Sequence, residues 1–182
     1  GDVKPAEVVK LVEKYFGGIP RGPEVKPVVV PPAVLSSDRY ASYVDNYAKL
    51  PLLLVVYPTV PNYHKDMGAL ACLAQVLGQG KNSVLYQQMI KKKTALQAST
   101  FSSLSELAGE FFVQLIPSPG KSLAVLDSIY RNSLDSFEAR GVTDDDIAKF
   151  KGGIESQLIN GLQSVSGKIS QLASFQTFTG NP

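Results

Sequence analysis

The chain has 182 residues, 44% hydrophobic and 19% charged, which is the usage of a globular domain able to bury a sizeable core. A net charge of +2 points to neither nucleic acid nor an anionic membrane, and a single cysteine excludes an internal disulfide and a thiolate zinc cluster. The longest apolar run, Pro51 to Tyr57, falls well short of the roughly 20 residues needed to cross a bilayer, and a buried strand explains it better.

The polar opening, Gly1 to Pro5, has no initiator Met and no signal peptide, and reads as the start of an excised piece. Pro5 to Phe16 is predicted helical. Its Pro stands early, Val8, Val9, Leu11, Val12 and Tyr15 mark an apolar side, and Gly17 and Gly18 stop it. Ile19 to Pro32 is rich in Pro and Gly and reads as extended linker. Arg39 to Ala48 alternates partly, which predicts a strand, and the continuous apolar stretch Leu52 to Tyr57 predicts a central one ended by Pro58 and Pro61.

Met67 to Leu77 carries helical spacing, Gly78 to Gly80 breaks it, and Asn82 or Ser83 caps a second helix running to about Lys93. Two strand-like runs follow, Ala95 to Phe101 and Glu110 to Ile116. Beyond Pro117 to Gly120 everything reads helical. Leu123, Leu126, Tyr130, Leu134 and Phe137 form one stripe, and Gly141 ends that helix. Thr143 caps the next, with Asp144, Asp145 and Asp146 at the positive end of its dipole, and a last helix restarts at Ser164 or Ser166. The order is ββααββααα. Strand pairs joined by short loops favour antiparallel pairing, so the expected class is α+β, a mostly antiparallel sheet with helices packed on one face.

Chemistry is sparse. A catalytic zinc needs three protein ligands, and His64 is the one imidazole; it reads as a surface or capping residue at a loop-to-helix junction. No serine lies in a nucleophile elbow. Cys72 sits among small apolar residues and reads as a buried helix position rather than a nucleophile. Gly78 to Ser83 looks like a phosphate loop, but Gln75 stands where the first glycine belongs, and a helix precedes it where a strand should. Asp144 to Asp146 lack the alternating ligand spacing of a calcium loop. Lys81 and Lys91 to Lys93 suit either an anionic-ligand patch or a solvated helix end, and the helix end is the simpler reading.

Tyr57 to Pro61, Asp66 to Leu77, Gly78 to Tyr86, Ala95 to Ser102 and Leu107 to Phe111, in that order, resemble the second domain of a half-unit in the pitrilysin/insulinase family of zinc peptidases, which includes the mitochondrial processing peptidases. Pro5 to Val8 and Tyr15 to Gly17 look like the last helix of the preceding domain. The resemblance implies a division into 1–18 as that helix, 19–35 as linker and 36–182 as the sheet-plus-helices domain, shortened at its C-terminal end. In that family the inverted zinc motif lies in the first domain of the active half. None of it matches here, so no catalytic, cofactor-binding or metal-ligating residue carries over. The inactive half holds substrate with an Arg and, seven residues on, a Tyr; Ile90 and Gln97 stand at those places, which favours the second domain of the active half.

The function implied is a non-catalytic domain in the wall of a peptide-enclosing chamber. The parent hydrolyses peptides with a zinc-activated water, and zinc is held by the parent only. Its partners are peptide substrate, the catalytic domain and the opposite half-unit, with no nucleic acid and no membrane span. The alternative is a domain of a catalytically inactive member serving as scaffold or partner subunit. Exposed apolar surface predicts that the isolated piece dimerises. The compartment is left open.

Overall fold

The computed structural model describes residues 2–26, 28–31 and 34–181; Gly1, Pro32 and Pro182, named above, lie outside the described residues. Nine elements follow in chain order: α1 (Pro5–Phe16), β1 (Leu53–Thr59), α2 (Met67–Gly78), a π-helical turn (Tyr86–Ile90), β2 (Ala95–Leu104), β3 (Gly109–Pro117), α3 (Leu123–Arg140), α4 (Asp144–Gly161) and α5 (Val165–Thr179). The fold is α+β, as expected. No described helix is long and apolar enough to cross a membrane.

The three strands form one antiparallel sheet in the order β1-β3-β2. Strand β3 is central, and its side chains alternate strictly. Phe111, Val113 and Leu115 are buried on one face, with Leu53, Val55 and Tyr57 of β1 and Ala98 and Thr100 of β2 beside them in register. Helices α2 and α3 and the π-helical turn cover this face, contributing Ala74, Leu77, Leu85, Met89, Leu126 and Tyr130 to a single core.

Close approach shapes two corners. Helix α2 ends against β2, where Thr100 donates its hydroxyl to the Ala74 carbonyl at 2.6 Å, and a β-carbon on Gly78 would overlap the Thr100 backbone nitrogen. At the start of β3, a β-carbon on Gly109 would overlap the Val60 carbonyl oxygen. Only glycine fits either place without displacing backbone.

Three expectations are corrected. The stretch Leu52 to Tyr57, expected to be a central strand, forms β1 at the edge of the sheet, because β3 alone among the described strands pairs with it. Arg39 to Ala48 forms no strand. A strand needs a partner for its N–H and C=O groups, and this segment runs exposed, with Tyr43 91% accessible and Asp45 Oδ1 accepting the Tyr47 N–H at 2.7 Å in a local bend. The helix expected to reach Lys93 is instead a wide turn. Lys91 N–H bonds Tyr86 O at 2.9 Å, five residues back, and Lys93 adopts a left-handed φ of 57° that swings the chain into β2. That turn buries both Leu85 and Met89 completely.

The later helices are capped by side chains, at Thr143 and Ser164 as read from sequence and at Ser122 in addition. Ser122 accepts the Val125 N–H, and Ser164 accepts the Gly167 N–H. Thr143 and Asp146 form a reciprocal capping box at 3.2 and 3.0 Å. Neither α4 nor α5 buries a residue. Helix α4 touches α2, and Tyr63 stacks on Phe178 and meets Phe175 edge-on, tying α5 to the loop before α2.

Candidate functional site

The residues sequence reading singled out do not converge. His64 is partly exposed; its Nδ1 accepts the Asp66 N–H at 3.2 Å and lies 3.5 Å from Asp66 Oδ2, the capping role expected of it. Cys72 is half-buried on α2, where burial and then the negative charge of Asp146 push its thiol above the usual range, away from a nucleophile's. Among the described residues no group of three or more His, Cys, Asp or Glu is placed to hold a metal ion. The described side chains therefore assemble no zinc ligand set.

Gly78 to Ser83 is a turn following a helix, closed by Ser83, whose hydroxyl donates to the Gly80 carbonyl at 2.8 Å. Of the acids Asp144 to Asp146 in the first turn of α4, Asp145 forms an ion pair and Asp146 both caps the helix and pairs with Arg140. Burial would raise the Asp146 carboxyl, but hydrogen bonds from Thr143 and the Arg140 guanidinium, 2.8 Å away, hold it below the ordinary carboxylate range. Asp145 pairs with Lys149 one turn on. Ile90 packs against the core, while Gln97 is exposed on β2 with its amide 3.4 Å from Ser99 Oγ. The two do not form a joint polar grip.

One titratable pair was not foreseen. Tyr57 reaches across from β1 so that its hydroxyl lies 3.0 Å from that of Tyr130 on α3. Burial, then the Tyr57 hydrogen bond, pushes the Tyr130 hydroxyl far above its usual range, so it stays protonated and serves packing. Sequence offers no signal for such a pair, because 73 residues separate its members.

What the molecule presents is the other face of the sheet. Here the register sets Leu54 and Val56 of β1 beside Gln114 and Phe112 of β3, with Phe101 of β2 stacked on Phe112 at 4.9 Å. Leu54, Val56 and Phe101 are 48%, 40% and 39% accessible. Gln97, Ser99, Ser103, Glu110 and Gln114 stand around this apolar stripe by the same alternation. Large apolar side chains are also bare on α4 and α5, among them Ile154, Leu158, Leu172 and Phe175. Apolar surface rimmed by polar groups is the usual mark of an interaction face.

Over residues 1–153 the sequence matches the family described as the peptidase M16 inactive domain. A protease from Helicobacter pylori superposes with a TM-score of 0.74 at 22% identity, over 96% of this chain and 43% of that one. A peptidase M16 inactive domain from Pseudomonas fluorescens does so with a TM-score of 0.69 at 15% identity, over 100% and 42%. The inactive peptidase domain of a protein provisionally described as a zinc protease, from Bordetella parapertussis, gives a TM-score of 0.63 at 14% identity, over 74% and 73%. The chain thus spans less than half the length of the Helicobacter and Pseudomonas proteins. No curated protein sequence matches it closely enough to count as a relative.

Proposed function

The chain belongs to the peptidase M16 inactive-domain family, and from that membership we propose that it is the non-catalytic domain of a larger zinc metallopeptidase of the pitrilysin/insulinase kind. It forms part of the wall of a peptide-enclosing chamber and packs against the zinc-bearing catalytic domain. The observation that carries this reading is the bare sheet face. Leu54, Val56 and Phe101 stay exposed around a half-buried Phe112, on strands whose other side packs against the helices, as suits a wall whose second surface meets peptide or a neighbouring domain. With Ile90 and Gln97 in place of the Arg and Tyr grip, substrate is held elsewhere in the parent. Residues 1–18 and 19–35 act as the closing helix of the neighbouring domain and its linker.

The chemistry at zinc belongs to the parent's other domain, since the described residues assemble no ligand set for the ion. Val56→Glu, tested in the parent protein, is expected to lower peptide hydrolysis while leaving the parent's zinc content unchanged. Full activity in that variant would remove the wall from the account. A parent that lacks a zinc motif altogether would make this the domain of a scaffold subunit instead.

A further inference from the structure

Lys92 borders a cleft of about 280 Å³ between the π-helical turn and α3. Gln88, Lys92 and Thr94 form one wall, and Asn132, Ser133 and Ser136 of α3 form the other. No Asp or Glu lines it, so its one formal charge is positive. Its volume sits at the lower end of ligand pockets, room for a small group only.

The hydrogen-bonding inventory is asymmetric. Ser133 and Ser136 spend their hydroxyl protons on the carbonyls of Ile129 and Asn132. Lys92 donates to Gln88 Oε1 at 2.6 Å, which leaves two ammonium protons, and turns the Gln88 amide nitrogen into that side chain's remaining donor. Among the described residues, the Gln88 and Asn132 amide groups and the Thr94 hydroxyl make no other donated hydrogen bond, and none of Lys91 to Lys93 pairs with a carboxylate. On α3 the nearby Asp127 is neutralised by Arg131 at 2.9 Å, and Asp135 is exposed and outside the lining. Three unspent donor groups, on Gln88, Asn132 and Thr94, beside the one cation Lys92 make a receptor for negative charge.

We propose that the cleft between Lys92 and Asn132 binds a small oxyanion, a phosphate or a carboxylate group. The inference is independent of the chamber reading. It makes the lysine run more than a solvated helix end.

The test is a titration of the 182-residue chain with inorganic phosphate, and separately with acetate, at ionic strength held constant with chloride and followed by amide chemical shifts. Saturable shifts centred on Lys92, Thr94 and Asn132 are expected with at least one anion, and which anion saturates identifies the group. Lys92→Met and Asn132→Leu should each weaken binding, the former by about tenfold. Lys149→Met, on α4, should leave it unchanged. Two variants on opposite walls guard against loss of fold in either. Shifts that grow linearly with both anions, or saturation that is the same in both cleft variants, would overturn the proposal.

Discussion

The two faces of the sheet are made by the same three strands, residue by residue, yet they do different work. Val113 and Leu115 face the helices with no measurable exposure, while Phe112 and Gln114, which alternate with them, face outward beside Val56 and Leu54. Alternation alone does not produce this difference, since both faces carry large apolar side chains. What separates them is that α2, α3 and the π-helical turn all contact the sheet from the same side. Stability therefore resides in the covered face, and the bare face is available for contact with other chain.

The largest test of that division is Leu115→Ala. It removes a side chain packed on all sides and should cost about 2–5 kcal/mol in urea unfolding; a cost near that of a surface change would place the core elsewhere. Gly78→Ala comes next. The new methyl meets the Thr100 backbone, and overpacking of this sort should cost about 1–3 kcal/mol, with Gly68→Ala, which has open space around it, as the control in thermal unfolding.

Thr143→Ala removes the cap of α4 and should cost about 1 kcal/mol. Because Asp146 is held below its unfolded value in the folded chain, its contribution is complete above the ordinary carboxylate range near pH 4. It fades as pH falls through the depressed folded value. The stability difference between wild type and Thr143→Ala should accordingly shrink in acid, and a gap that widened there would contradict the capping-box geometry. The smallest effect belongs to the bare face. Leu54→Ser should change the stability of the chain by no more than about 0.5 kcal/mol, which denaturant midpoints would show, while weakening contact between this domain and the rest of its parent.

Much of the covered face was legible in the sequence. Leu126, Tyr130, Leu134 and Phe137 recur at helical spacing, and Thr143 with Asp146 announces a helix start three residues apart. Local rules decide such features. The errors arose where a distant partner decides. Arg39 to Ala48 has a strand-like pattern, but no described strand pairs with it. The wide turn after Leu85 follows from the need to bury Leu85 and Met89 together and still deliver Ala95 to β2. The bare face was hidden for the same reason, since Leu52 to Tyr57 reads as a central strand covered on at least one face, and only the helices' placement shows that one face alone is covered. For the candidate site, the single imidazole was plain in the sequence, whereas the cleft beside Lys92 depends on α3 lying forty residues on.

Metal analysis combined with a peptide-cleavage assay on the purified 182-residue chain, after exposure to equimolar zinc, tests the central claim most directly. The account predicts no stoichiometric zinc and no hydrolysis, with activity confined to the parent that carries the catalytic domain. One tightly held zinc ion per chain, together with peptide cleavage, would contradict it.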